Sequence, residues 1–164
     1  MDLEQFGLEE LLLAAIKSEM ESKAVYEHLA RQVPNAYLSD KLRFIAREEQ
    51  KHREFLEGVF KMQIQKPLGE LPLSSPVPLP EVTVSQPYVP ASEVIFQAMK
   101  AEEAASDFYR SLAERFQGDS ETRETLIYLS QMEMGHYKLL EVEKAHLDSS
   151  EDYEVEWEMM HAGP

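Results

Sequence analysis

Residues 49–52 read Glu-Gln-Lys-His and residues 133–136 read Glu-Met-Gly-His, so one Glu-x-x-His spacing occurs twice in this chain. Each copy follows a glutamate that has a tyrosine seven residues later: Glu19 with Tyr26, and Glu102 with Tyr109. Residues three, four or seven apart share one face of a helix. On four helices, this order can aim four carboxylates and two imidazoles at one point, the ligand set of a two-metal carboxylate site.

The two halves of the sequence repeat each other. Aligning Glu19 with Glu102 also pairs Tyr26 with Tyr109, and an offset one residue larger pairs the two Glu-x-x-His motifs. In every predicted helix the ionisable residues replace an apolar residue within a core stripe at alternating spacings of three and four, as in Leu42, Ile45, Glu49, His52, Leu56. We therefore expect these carboxylates and imidazoles to face inward.

A proline-rich segment separates the halves. Residues 65–92 hold seven of the nine prolines, and no helix can run through them. The sequence predicts an all-α four-helix bundle over residues 1–147: a hairpin at about 6–64, a crossover at about 65–92 and a second hairpin at about 93–147. A single long crossover between helices 2 and 3 is the connectivity of ferritin-like bundles. It also allows the second hairpin to be exchanged with another copy, so a homodimer, swapped or not, is expected.

Residues 148–164 form an acidic C-terminal tail in this scheme. One interpretation is a flexible acidic end. The alternative is that Tyr153, Val155, Trp157 and Met159, which alternate with acidic residues, dock as an extended segment. Two further histidines, His28 and His146, lie off the metal stripes and are predicted to be surface residues.

The balance of charge explains why carboxylates and imidazoles that face inward predict a metal site. Several kcal/mol are needed to take one carboxylate out of water, and four around one centre repel each other. Two divalent cations cancel four negative charges and leave the two histidines neutral. We expect Glu49 and Glu133 to bridge the ions, with Glu19, Glu102, His52 and His136 as terminal ligands. Carboxylate and imidazole ligands without sulfur suit iron or manganese, tolerate zinc and fit calcium poorly.

Composition excludes several other classes of function. The net charge of −15 argues against binding to nucleic acid or to an anionic membrane surface. The chain has no cysteine, so it forms no disulfide, zinc knuckle, iron–sulfur cluster or rubredoxin-type iron centre. The first ten residues lack a signal pattern, and the longest apolar run is too short to span a bilayer. A cytoplasmic protein is expected.

With these motifs in hand, residues Leu8 to Leu147 resemble the rubrerythrin-like members of the ferritin-like superfamily. The resemblance implies two iron ions held by the six residues above, reacting with hydrogen peroxide or dioxygen, with Tyr26 and Tyr109 as hydrogen-bonding or core residues behind them. The chain departs from the family pattern at one position. Rubrerythrins carry a seventh glutamate one turn after the first glutamate of helix 3, where this chain has Ala105. Glu103 points about 100° away and is predicted to lie at the surface.

Three functions follow from this interpretation. The first is a di-iron oxidoreductase of rubrerythrin type, with a role in oxidative stress, that takes electrons from an external donor such as a rubredoxin. The second is a ferroxidase or iron-storage protein without peroxidase turnover. The third is an interaction scaffold whose metals only brace the fold.

Overall fold

The computed structural model describes residues 3–72, 88–149 and 154–156. It contains four α-helices: α1 Leu8–Gln32, α2 Ala36–Ile64, α3 Ala91–Ala113 and α4 Ser120–Ser149. A 3-10 turn, Glu114–Phe116, follows α3. Two three-residue strands, β1 Tyr88–Pro90 and β2 Glu154–Glu156, complete the described elements. The predicted all-α four-helix bundle is confirmed.

Local sequence sets where the helices begin and end. Asn35 caps α2, because its side-chain oxygen accepts hydrogen bonds from the backbone N–H groups of Tyr37 and Leu38 at 2.9 and 3.1 Å. α2 ends where Gln65 adopts a left-handed conformation, φ 57°. Asp119 caps α4 by accepting from the N–H of Thr122 at 3.1 Å. These caps fix the lengths of the helices that carry the ligands.

Side-chain contacts define the directions of the helices. Lys23 of α1 donates to Gln50 of α2, and Ser39 of α2 donates to the carbonyl of Ala30, so α1 and α2 are antiparallel. Tyr26 contacts Glu102 while Tyr109 contacts Glu19, so α1 and α3 are also antiparallel. It follows that α2 and α3 are parallel, the arrangement predicted for a single long crossover between them.

The apolar core has two parts, one towards each end of the bundle. One cluster contains Leu29, Leu42, Ile95 and Leu140, and the other contains Leu12, Leu56, Leu112 and Leu126. All eight of these leucine and isoleucine side chains are fully buried. Because Glu19 lies between Leu12 and Leu29 on α1, and the other helices repeat this order, the ionisable residues lie between two dry clusters.

The crossover and the tail meet in a small sheet. β1 and β2 pair antiparallel, with Val89 opposite Val155. β1 lies against α3 and β2 against α1. The extended alternative for the tail is therefore realised over Glu154–Glu156, whereas Trp157 and most of the crossover, residues 73–87, lie outside the described residues. α3 begins at Ala91 and α4 extends to Ser149.

One surface prediction is wrong. His28 is buried, whereas His146 is exposed as expected. His28 lies off the metal stripe, and the apolar period of α1 does not indicate what packs against that side of the helix. Among residues 3–72, 88–149 and 154–156, no helix is both long and apolar enough to span a bilayer.

Candidate metal centre

Six ionisable side chains meet at mid-height in the bundle, and we refer to them together as the metal centre: Glu19, Glu49, His52, Glu102, Glu133 and His136. Each is at most 4% exposed. Glu19 comes from α1 and Glu102 from α3, while α2 and α4 each supply a Glu-x-x-His pair. All of the sequence-predicted ligands are therefore brought together by four different helices.

The ligand atoms form two overlapping groups. Glu19, Glu49, His52 and Glu133 offer atoms that all lie within 4.8 Å of one another. Glu49, Glu102, Glu133 and His136 form a second such group. Glu49 and Glu133 belong to both groups, as bridging carboxylates would, and each remaining residue belongs to one. The geometry thus fits two cations that share two carboxylates, while metal binding itself stays a prediction.

The two histidines are arranged almost symmetrically. His52 Nδ1 lies 2.9 Å from Glu133 Oε1 and 3.1 Å from Glu49 Oε2. His136 Nδ1 lies 3.2 Å from Glu49 Oε1 and 3.3 Å from Glu133 Oε2. Each histidine is also 3.6 Å from one terminal carboxylate, Glu19 for His52 and Glu102 for His136. The internal repeat therefore becomes a pseudo-two-fold relationship within the site.

Two buried tyrosines connect the hairpins at the level of the ligands. The hydroxyl of Tyr26 on α1 donates to Glu102 Oε1 on α3, and that of Tyr109 on α3 donates to Glu19 Oε1 on α1. The sequence left open whether the tyrosines are hydrogen-bonding or core residues; both donate hydrogen bonds, and each reaches the opposite hairpin. The reason is the antiparallel packing of α1 and α3, which brings each tyrosine level with the other helix's glutamate.

The electrostatics of the metal centre reflect crowded negative charge. Burial raises the pKa of Glu19 well above its usual range, and the nearby Glu49 and Glu133 carboxylates raise it further. Burial and the neighbouring Glu102 likewise raise the pKa of Glu133. Burial disfavours the charged form of His52, but the carboxylates of Glu133, Glu19 and Glu49 beside it outweigh burial and raise the pKa of this imidazole to about 12. Positive charge is therefore strongly stabilised at this point.

Unpartnered atoms test whether a cation fits. Among the described residues, the buried Oε1 atoms of Glu49 and Glu133 and both ring nitrogens of His136 have no hydrogen-bond partner. His136 Nδ1 is near Glu49 Oε1, and His52 Nδ1 is near Glu133 Oε1, but neither contact has hydrogen-bonding geometry. Buried polar atoms in proteins nearly always have partners. Oxygen and imidazole nitrogen atoms converging in this way suit iron or manganese, so the residues present fit a pair of such ions.

The position of the family's seventh carboxylate lies beside the metal centre. Ala105 there is half-buried against the apolar core, and Glu103 is exposed, as predicted. One residue further, Ser106 on α3 lies 2.9 Å from Ser130 on α4, hydroxyl to hydroxyl, and both side chains are buried. This serine pair is not among the residues predicted from the sequence. Its signal is a small polar residue on the inner face of each helix, one turn from Glu102 and Glu133.

Comparison with known proteins extends over most of the chain. A family model described as Rubrerythrin matches residues 10–144. Among solved structures, the "Hypothetical Protein Pfu-1136390-001 From Pyrococcus furiosus" is 31% identical in sequence and superposes with a TM-score of 0.78, covering 93% of this chain and 97% of that one. No curated protein matches. The matched range 10–144 contains the positions of all six residues of the metal centre.

Proposed function

Because the chain belongs to the rubrerythrin family, we propose that it is a di-iron oxidoreductase that reduces hydrogen peroxide at the metal centre. The observation that supports this most directly is the pair of ligand groups that share Glu49 and Glu133. A shared pair of carboxylates holds two ions close together, and a two-electron substrate needs two one-electron donors side by side. Iron is proposed as the resident metal, with manganese or zinc as substitutes.

The protein's own residues would hold the ions and restrict access to them. In this proposal Glu49 and Glu133 would help to hold both ions, Glu19 and His52 would complete the ligands of one, and Glu102 and His136 those of the other. Ferrous ions held there would supply the two electrons that, with two protons, convert one hydrogen peroxide into two waters. The apolar clusters above and below exclude bulk water, which strengthens the electrostatic interactions within the site. Tyr26 and Tyr109 fix the orientation of the terminal carboxylates through their hydrogen bonds.

The electrons must be replaced after each turnover. We propose an external donor, such as a rubredoxin, because the 164 residues contain no cysteine with which to bind an electron-transfer iron of that type. In this role the protein would act in the cytoplasm against oxidative stress.

Rapid mixing of the diferrous protein with hydrogen peroxide, and separately with dioxygen, tests the proposal. Oxidation by peroxide is expected to be at least about tenfold faster, and added reduced donor should restore the diferrous state through repeated cycles. Glu133→Gln should abolish the reaction because it removes a shared ligand. Glu103→Gln, an exposed glutamate one residue from Glu102, is the matched control and should react like the native protein.

One observation favours a second function, ferrous iron oxidation coupled to iron uptake. Ala105 occupies the position of the seventh carboxylate, and the six remaining ligands form a nearly symmetric set like a ferroxidase site. In the same experiment a ferroxidase would react preferentially with dioxygen, take up iron in proportion to the oxygen consumed, and show no turnover with the donor. A protein that is inert to both oxidants when loaded with iron would instead be a scaffold braced by metal.

A further inference from the structure

Two buried serines near the metal centre take no part in the function proposed above. Ser106 on α3 and Ser130 on α4 are 1% and 2% exposed, and their hydroxyl oxygens are 2.9 Å apart. Serine is mostly found at protein surfaces, because burial of a hydroxyl costs free energy unless the group is hydrogen-bonded. The single contact between the two hydroxyls offsets that cost only in part.

Each serine shares a helix face with one of the ligands. Ser106 follows Glu102 by four residues on α3, and Ser130 precedes Glu133 by three residues on α4. Side chains three or four residues apart on a helix are neighbours on its surface. Both serines therefore face the interior of the bundle on the same side of their helices as the ligands.

The directions of the two helices place both ligands on the same side of the serine contact. Lys144 on α4 lies over the ring of Phe96 on α3, while Ser130 meets Ser106, so α3 and α4 are antiparallel. Lower residue numbers on α3 and higher numbers on α4 therefore lead in the same direction, and both lead to a ligand after about 4.5–6 Å of helical rise. Because helical side chains tilt towards the N-terminus of their own helix, the hydroxyl of Ser106 leans towards the ligands.

One hydroxyl hydrogen of the pair has no acceptor. A serine within a helix often donates to the carbonyl four residues earlier, and Ser111 on α3 does so to Asp107. Ser106 and Ser130 instead meet each other, and among the described residues neither hydroxyl has another hydrogen-bond partner. The two groups carry two hydrogens, and the contact between them uses one. A buried donor is therefore left over in the layer next to the ligands.

The other half of the chain lacks an equivalent pair. The repeat that aligns Glu19 with Glu102 relates Ser106 to Lys23, and the offset one residue larger relates Ser130 to Ala46. Lys23 donates to a side chain of α2 at 2.9 Å, and Ala46 is buried. The first hairpin thus packs without a hydroxyl at either position, so helix packing alone does not require the serines. Although the ligands are arranged almost symmetrically, this hydroxyl donor lies on one side of them only.

The tyrosine hydroxyls near the ligands already have acceptors. Tyr26 donates its hydrogen to Glu102, and Tyr109 donates its hydrogen to Glu19, so neither tyrosine retains a hydrogen for a substrate. A small oxygen-containing molecule at the metal centre has lone pairs that need donors. In a site from which water is excluded, a hydrogen bond to such a molecule is stronger than it would be in water.

We infer that Ser106, oriented by Ser130, donates a hydrogen bond to the oxygen substrate at the metal centre. When Ser130 donates to the Ser106 oxygen, the Ser106 hydrogen is the one that remains, and its helix tilts it towards the ligands. Ser106 is then a residue that contacts the substrate, and Ser130 is a residue that positions it. This inference rests on the proposed function, because it requires that the metal centre binds iron and an oxygen substrate.

Azide binding to the oxidised, iron-loaded full chain tests this assignment. Azide is a small anion with lone pairs at its ends, and its binding to ferric iron is followed by visible absorption. Ser106→Ala should raise the dissociation constant of azide about tenfold, because a hydrogen bond to a charged ligand is lost. Ser130→Ala should raise it about threefold, because Ser106 keeps its hydroxyl but loses the group that orients it.

Ser111→Ala is the matched control. It makes the same substitution on α3, at a serine whose hydroxyl bonds to its own helix, and should leave the dissociation constant within about twofold of the native value. Circular dichroism and iron content establish that every variant is folded and loaded with metal. Because serine and alanine are close in size, the bundle should fold in all three.

A purely structural role for the serines predicts a different result. Both variants would then lose thermal stability while their affinity for azide stayed at the native value, and this would overturn the inference. An iron-loaded native protein that binds no azide, or an equal loss of affinity in Ser111→Ala, would overturn it as well. Failure of the proposed function is distinguishable, because a protein that does not reduce peroxide yet binds azide more weakly in Ser106→Ala still has the inferred donor.

Discussion

Tyr109, on the third helix, donates its hydroxyl hydrogen to the carboxylate of Glu19, on the first. The contact related to it by the pseudo-two-fold symmetry, from Tyr26 to Glu102, connects the same two helices. Each terminal glutamate is therefore oriented by a residue from the other half of the chain. Neither hairpin can orient its own terminal carboxylate, so the two halves of the sequence have to be docked before the metal centre is complete.

Removing one of these hydroxyls should weaken metal binding. Tyr109→Phe leaves Glu19 without its donor, and loss of such a hydrogen bond behind a ligand typically costs about 10- to 100-fold in metal affinity. Competition against a chelator measures the change. Tyr26→Phe should have a similar effect through Glu102, whereas Tyr128→Phe, at an exposed tyrosine, should have none. Equal affinity in all three variants would mean that the tyrosines only fill space.

Replacing a shared carboxylate and replacing a terminal carboxylate should leave different numbers of metal ions bound per chain. Glu133→Gln alters a residue common to both ligand groups, so it should leave at most one tightly bound ion per chain. Glu102→Gln alters one group only, and the ion near His52 should remain. Elemental analysis after dialysis counts the ions, with Glu103→Gln as the control that keeps two. Full occupancy in Glu133→Gln would exclude a bridging role.

Without metal, the folded protein should lose stability as the pH rises. The pKa of His52 is raised to about 12, and the pKa values of Glu19 and Glu133 are also raised. The folded apoprotein then binds more protons than the unfolded chain, whose glutamates titrate near 4.5 and histidines near 6.5. This difference in proton binding contributes fully to the free energy of unfolding below the pKa values of the unfolded chain. The contribution is lost as the pH rises towards the pKa values of the folded protein. The melting temperature of the apoprotein should fall between pH 6 and pH 9.

Metal should reverse the sign of this dependence. Ligand histidines must lose their protons, so uptake of two ions at neutral pH should release at least about two protons per chain. Calorimetry in buffers of different ionisation enthalpy counts them, and the metal-loaded protein should gain stability relative to the apoprotein as pH rises. Metal uptake without proton release would show that the imidazoles are neutral beforehand.

The buried serine pair provides a stability test away from the ligands themselves. Ser106→Ala leaves the Ser130 hydroxyl without its partner, which should lower the free energy of unfolding by about 1–2 kcal/mol. Replacing both serines by alanine should cost less than the two single changes added together, because no hydroxyl is then left unpaired. Urea unfolding of the metal-free proteins measures the free energy of unfolding of each variant. Strict additivity would mean that the two hydroxyls do not interact.

Much of the fold could be predicted from the sequence because helical periodicity is a local property. The inward positions of Glu49, His52, Glu133 and His136 follow from their place in apolar stripes, and the prolines after residue 65 rule out a helix there. The surface position predicted for His28 was wrong for the same reason. Periodicity describes one face of one helix, and it contains no information about what packs against another face.

The sequence by itself determined four helices, one crossover and six inward ligands, because a 3.6-residue period fixes which side chains share a face. Tertiary structure alone decided that Tyr109 orients Glu19 rather than Glu102, that Ser106 meets Ser130, and that residues 154–156 pair with 88–90. These contacts join residues that are far apart in the chain. They depend on how the helices are offset and crossed, and that packing depends on the shapes of all the buried side chains together.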